Sequence, residues 1–125
     1  MSKRILLFVA LLLTSNVALG ATAIVEWDNP TQREDGTSLP LSELAYTKVI
    51  WGTCGMDGAS IISITGSVNV PSPNNSVEIQ NIAAGTYCFG ATSVDTENQE
   101  SVLSNVISKS FNKSRPKGPR MKGIR

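Results

Sequence analysis

The 125-residue sequence predicts an all-β protein folded as an antiparallel β-sandwich. Runs of alternating apolar and polar residues recur along the chain, and clusters of Gly, Pro, Asn and Asp separate them. No segment after the N-terminus repeats its apolar residues every 3.6 positions, which excludes a mainly helical fold. A small closed barrel is the competing all-β architecture, because regular strand spacing alone does not distinguish the two.

The N-terminus has the composition of a secretion signal. Lys3 and Arg4 precede nine apolar residues at 5–13, and small residues at 18–20 supply a cleavage site. Nine residues would rise only about 14 Å as a helix, roughly half of a bilayer core. We therefore expect a signal peptide over residues 1–20 and a secreted or periplasmic protein. Retention as an uncleaved signal anchor is the alternative.

Six segments after the signal carry strand patterning. They are residues 21–27, 45–52, 59–68, 77–82, 86–94 and 101–108. In the first, Ala23, Val25 and Trp27 share one face and Ile24 lies on the other. The long connection at 28–43 is broken by prolines and an Asp-Gly turn. One domain over residues 21–109 is expected, followed by a C-terminal tail at 110–125.

Several elements, in chain order, resemble a fibronectin type III domain of the form common in bacterial and phage proteins. They are Trp27 with Pro30-Thr31 and Asp35-Gly36 after it, Leu44…Val49-Ile50-Trp51-Gly52, Ile82…Gly85-Thr86-Tyr87, and Asp95…Glu100-Ser101…Ser104-Asn105. The similarity covers roughly residues 23–110 and implies an immunoglobulin-like sandwich. It implies a core of Trp27, Val49, Trp51, Tyr87 and Phe89, with Trp27 at the centre and the Tyr87 hydroxyl returned to the backbone.

Two features depart from the family pattern. Asn98 occupies a turn position where the family usually has glycine, and asparagine is the next-best residue for a left-handed backbone. The family's first strand, which precedes the Trp27 strand, has no counterpart after the signal, so it is either truncated or missing. The strand at 21–27 is then an exposed edge to which a partner strand can add, unless it is simply solvated and blunted by Glu26.

The two cysteines, Cys54 and Cys88, are expected to form one intramolecular disulfide, since the exported chain enters an oxidising compartment. Two unpaired thiols are the alternative. Strand alternation places both side chains on the outward faces of their strands. The bridge should therefore connect the ends of two neighbouring strands on the solvent-exposed side. A redox-active pair is disfavoured because there is no CxxC spacing and no flanking base.

Charge is divided sharply between the domain and the tail. Residues 21–108 carry two basic residues against ten acidic ones, a net charge of −8. Residues 109–125 carry seven basic residues and no acidic one. The seven are Lys109, Lys113, Arg115, Lys117, Arg120, Lys122 and Arg125. We expect a flexible tail that binds an anionic surface, with a merely solubilising terminus as the alternative and no specific nucleic acid target.

The sequence favours a binding protein over an enzyme. Histidine, the commonest general base and metal ligand, is absent, and no catalytic constellation appears, so neither a catalytic site, a metal nor a cofactor is expected. A calcium site at Asp28, Glu34 and Asp35 is a weak alternative. The expected function is a secreted adhesion module that binds protein or carbohydrate at a cell or virion surface. The alternative is a structural subunit of an extracellular or virion assembly, joined by strand addition or by its basic tail.

Overall fold

The computed structural model describes residues 20–112 and 116–125, and it is all-β. Its strands are β1 (Ala21–Glu26), β2 (Leu44–Cys54), β3 (Ile61–Pro71), β4 (Ser76–Ile82), β5 (Gly85–Asp95) and β6 (Ile107–Phe111), with a 3-10 turn at Leu41–Glu43. Apart from Gly20, the predicted signal peptide lies outside the described residues. Within the described ranges, no helix has the length and hydrophobicity that crossing a membrane requires.

The strands form two antiparallel sheets. One contains β1 and β4, and the other has the order β3-β2-β5-β6. This confirms the prediction of an all-β, antiparallel protein. Two separate sheets are consistent with a sandwich and not with the closed barrel that the spacing left open.

The core lies between inward faces that strand alternation defines. Its buried residues are Ala23, Val49, Val70, Ile79, Ile82, Phe89 and Phe111. Ile24, next to Ala23 on the opposite face of β1, is 69% exposed, as the alternation predicted. Each of the six strands therefore contributes at least one buried residue to the core, whereas most residues of β3 are exposed.

Aromatic rings dominate the middle of this layer. Phe89 stacks on Trp51 at a centroid distance of 6.4 Å and meets Phe111 edge-on at 6.3 Å. The Trp51 ring lies directly against the backbone of Gly66 on β3, where an added Cβ would collide with it. Glycine is required there because only its bare backbone lets the indole lie flat on the neighbouring strand.

Trp27 does not occupy the centre that the resemblance gave it. It is half-buried at the margin of the core, and its indole Nε1 donates to Oδ1 of Asn29 at 2.9 Å. The physical reason is its position just after β1, the outer strand of a two-stranded sheet, where no strand covers it. Phe111, the last residue of β6, is buried in the core, so Ser110 and Phe111 belong to the sheet although they were expected in the tail.

The last strand also begins later than the pattern at 101–108 predicted. Backbone N–H groups of Ser101 and Ser104 donate to the carbonyls of Ser93 and Ala91 at 2.9 and 2.8 Å. In the opposite direction, the backbone N–H groups of Ser93 and Ala91 donate to side-chain hydroxyls instead of carbonyls. The acceptors are Ser101 Oγ at 2.9 Å and Ser104 Oγ at 3.0 Å. The segment before β6 therefore runs beside β5 without forming a regular ladder.

The predicted disulfide is present, but it is not on a solvent-facing surface. Cys54 and Cys88 are bonded, with their Cα atoms 5.1 Å apart. Cys88 lies on the face opposite Phe89, as alternation predicted, yet it is fully buried. The turn between β2 and β3 folds over it and brings the Gly58 carbonyl oxygen 3.5 Å from the Cys88 Sγ. Alternation along β5 therefore predicted the correct face for Cys88, and the turn between β2 and β3 shields that side chain from solvent.

Two turn features match the sequence analysis. Asn98 has φ 67°, the left-handed conformation expected of it. The hydroxyl of Tyr87 donates to the carbonyl oxygen of Ala83 at 2.9 Å, which ties the start of β5 to the preceding turn. The Asp95 Oδ1 atom accepts the backbone N–H groups of Glu97 and Gln99, which closes the turn after β5.

Candidate functional site

A large groove runs along the side of the molecule between β1 and the facing wall of β5, β6 and the segment before β6. Its volume is about 1180 Å³, above the roughly 300–1,000 Å³ of small-molecule pockets. We call it the β1 groove. Apolar lining residues include Ala23, Ile24, Val25, Trp27, Leu39, Leu44, Phe89, Ala91, Val102, Leu103 and Ile107. Its acidic lining residues are Glu26, Asp28, Glu34, Asp35, Asp95 and Glu100.

One wall of the groove is a strand edge without a neighbour. β1 pairs with β4 along one edge, and no strand in residues 20–112 or 116–125 pairs with its other edge. In a strand, alternate residues turn their N–H and C=O groups to opposite sides, so about half of the backbone groups of β1 point away from β4. The sequence located this edge correctly, because no described strand precedes β1.

The groove collects exposed apolar side chains. Ile24 is 69% exposed, Val102 73% and Ile107 63%, and Leu103 is also exposed, packed over Gly90 on β5. A contiguous exposed apolar surface in a monomer commonly marks a binding site. Sequence analysis missed these residues. The available signal was apolar residues on strand faces that are otherwise polar, Ile24 on β1 above all.

The rim of the groove is negatively charged. Six carboxylates line it against two cations, Arg33 and Lys109, and both cations are already engaged. Arg33 donates from Nη1 to Oδ2 of Asp95 and from Nη2 to Oε1 of Glu43, each at 2.8 Å. The Nζ atom of Lys109 lies 5.5 Å from the centroid of the Phe111 ring. The groove therefore presents an excess of negative charge to any ligand.

Hydrogen bonds keep two of these carboxylates ionised. The Arg33 guanidinium, helped by the backbone N–H groups of Gln99 and Glu97, lowers the pKa of Asp95 below its ordinary value. The hydroxyl and the backbone N–H of Thr37 lower the pKa of Asp35 in the same direction. These hydrogen bonds therefore favour the charged forms of Asp35 and Asp95.

A hydrogen bond connects the two walls of the groove near the end of β1. There the Oε2 atom of Glu34, in the connection between β1 and β2, accepts the backbone N–H of Val102 at 2.9 Å. Near Ala21, where β1 begins, no side-chain hydrogen bond between described residues spans the walls.

The structure disperses the basic residues that the sequence grouped together. Lys109 lies on β6 and lines the β1 groove. Lys117, Arg120, Lys122 and Arg125 lie in an exposed segment with neither helix nor strand, whereas Lys113 and Arg115 fall outside the described residues. The carboxylates proposed for calcium do not come together as a site, since no group of three potential ligands within the described ranges could hold a metal ion.

The Arg33–Asp95 pair should make stability depend on pH. Because the pKa of Asp95 is depressed in the folded state, its contribution is present at pH values above the ordinary carboxyl pKa and is lost as pH falls through the folded pKa. Asp95→Asn should flatten the acid limb of stability, measured by urea unfolding from neutral to acidic pH. Glu97→Gln, in the same turn but exposed, is the control. Unchanged acid dependence in Asp95→Asn would contradict the assignment.

In comparisons with known proteins, no protein-family model matches the chain, and no curated protein or solved structure is significantly similar to it. The interpretation of the groove therefore rests on its geometry and charge.

Proposed function

We propose that this protein is a secreted, non-enzymatic binding module of fibronectin type III kind. Its β1 groove takes an extended polypeptide segment of a partner at a cell or virion surface. The observation that carries the proposal is the free edge of β1, which lies beside a groove of about 1180 Å³ with an apolar floor and an acidic rim.

Strand pairing supports the fibronectin type III assignment. Immunoglobulin-like sandwiches pair the second strand with the fifth, and the third with the sixth and seventh. If the family's first strand is left out, β1 and β4 correspond to its second and fifth strands, and β2, β5 and β6 correspond to its third, sixth and seventh. β3 lies beside β2. The Tyr87 hydroxyl bonded to Ala83 is the counterpart of the family's conserved corner. On this scheme the β1 groove lies where a first strand would add.

An extended polypeptide fits this site better than a carbohydrate. The free backbone groups of β1 offer main-chain hydrogen bonds, which give affinity in strand addition, while pockets for alternate side chains give specificity. Ile24, Leu103 and Ile107 provide apolar contacts, and the carboxylates around them select for a cationic segment. Two of these carboxylates, Glu26 and Asp28, have no side-chain hydrogen bond to a described residue and so remain available to a ligand.

β3, β4 and β6 also have an edge without a described neighbour, and the longest of these strands, β3, is less suitable in geometry. Two register irregularities interrupt the β2–β3 pair, and in both the extra residue is on β3. Bulges of this kind bend an edge and discourage further pairing. In the β1–β4 pair the extra residue falls on β4, at Asn81 with φ 62°, so β1 itself stays regular.

Export remains part of the proposal. A disulfide between Cys54 and Cys88 is typical of proteins that mature in an oxidising compartment. The described part of the tail, residues 116–125, carries four basic residues and no acidic one, which suits an anionic surface as the sequence analysis expected. The β1 groove is itself such a surface.

Site-specific photo-crosslinking tests the proposal. A photoreactive phenylalanine derivative at Ile107, which is 63% exposed in the groove, should give discrete adducts in the protein's native setting. The matched control is the same residue at Leu41, which is 53% exposed outside the groove. Mass spectrometry should place the attachment within one extended, basic segment of the partner. Equal labelling from both positions, or none from Ile107, would refute the proposal.

A further inference from the structure

We infer that the segment bound by the β1 groove is the end of the C-terminal tail, residues 116–125, of a second copy of this chain, so that copies join head to tail. The inference rests on the proposed function, because it names the partner of that same groove. Three observations carry it: charge, the composition and length of the tail end, and the direction of β6.

Charge is the first observation. The groove has six carboxylates and two cations, an excess of four negative charges, and both cations are engaged by other side chains. Residues 116–125 carry four positive charges and no negative one. Arg33 makes both of the ion pairs found among the described residues, so none of those four cations is in an ion pair there. The two surfaces are therefore complementary in sign and in number of charges.

The composition and length of the tail end suit strand addition. Residues 120–125 contain no proline and so keep the N–H groups that pairing with β1 requires. Met121 and Ile124, both largely exposed, supply apolar side chains among the basic ones. Ten extended residues span about 33 Å, whereas the six residues of β1 span about 20 Å. The segment is long enough to fill the groove.

A second copy satisfies the geometry better than the chain's own tail. β6 ends near the start of β1, because Phe111 pairs with Gly85 and Ala21 pairs with Ile82 nearby. From that point the chain's own tail could enter its own groove only by reversing the direction of β6. None of residues 116–125 lines the groove in this structure. A neighbour's tail can enter without a reversal.

Complementary charge variants of the exported full-length protein test this inference. A groove variant, Glu26→Gln with Asp28→Asn, keeps an intact tail, and a tail variant, Lys122→Glu with Arg125→Glu, keeps an intact groove. In sedimentation velocity, the wild type should form dimers and larger species as concentration rises, and added NaCl should reverse this. Each variant alone should associate at least about tenfold more weakly, because the groove variant loses two attractive charges and the tail variant places like charges together.

Mixing the two variants gives the decisive result. The tail of the groove variant can enter the groove of the tail variant, but neither remaining end can extend the chain. The inference predicts a one-to-one dimer and nothing larger. Circular dichroism of each variant should match the wild type, which shows that weaker association does not reflect misfolding; Lys117→Glu with Arg120→Glu serves as a second tail variant.

Three outcomes would overturn the inference. The wild type could stay monomeric at all concentrations, the mixture could fail to form a dimer, or crosslinks from Ile107 could reach the tail of the same molecule. If the wild type is monomeric but Ile107 still crosslinks to a foreign segment, the proposed function stands and only the self-assembly is wrong. If Ile107 crosslinks to nothing, both are wrong.

Discussion

Replacing Cys54 and Cys88 together by alanine is expected to lower the free energy of unfolding by about 3–4 kcal/mol. The bridge joins residues 34 positions apart and so restricts a long loop in the unfolded chain. Domains of this size have only about 5–15 kcal/mol of stability, so the loss removes a large share of it. Urea unfolding of the oxidised wild type and the double variant measures the difference, and the double variant should show a steeper slope because its unfolded chain is more expanded.

The control for this experiment lies in the same region. Met56, in the turn that covers Cys88, is fully exposed, and Met56→Ala should leave the midpoint of unfolding unchanged. Each single cysteine variant should lose about as much stability as the double variant, because the crosslink is gone in every case. An unchanged midpoint for the double variant would show that the bridge does not restrict the unfolded chain as described.

Phe111→Ala is expected to cost about 3–5 kcal/mol, the range for removing a buried aromatic side chain. Phe111 is buried, meets Phe89 edge-on at 6.3 Å and lies 6.1 Å from the ring of Tyr87. Its loss opens a cavity between the sheets at the edge that β6 closes. Thermal unfolding followed by circular dichroism, together with urea titration, measures the effect.

Chain shortening separates the role of Phe111 from that of the tail. A chain that ends at Lys109 should be as unstable as Phe111→Ala, whereas one that ends at Asn112 should unfold at the wild-type midpoint. Met121→Ala, at an exposed tail position, should also be neutral. If the two shortened chains were equally stable, β6 would not extend to Phe111 as described.

The elements predicted correctly are those that local alternation determines. The strand at 21–27 and the inward set of Tyr87 and Phe89 follow from a period of two, which needs no knowledge of distant contacts. The left-handed turn at Asn98 follows from the chemistry of one residue. The disulfide follows from the presence of two cysteines and from the expectation that the chain is exported.

The errors concern contacts between segments far apart in sequence. Alternation shows which face of a strand is apolar, but not whether another strand covers it, so Trp27 was expected at the centre and Phe111 in the tail. In the same way, Cys88 was given the correct face but the wrong exposure, because burial depends on how the following turn folds. Predicting the β1 groove would have required the relative positions of β1, β5 and β6, which no local sequence pattern determines.

The edges of the larger sheet are poorly suited to pairing with a second molecule. β3 carries two bulges, and β6 is only five residues long. The chain before β6 is held to β5 partly by serine hydroxyls, so it offers no regular ladder for a further strand to extend. Edge-to-edge aggregation through this sheet is therefore disfavoured.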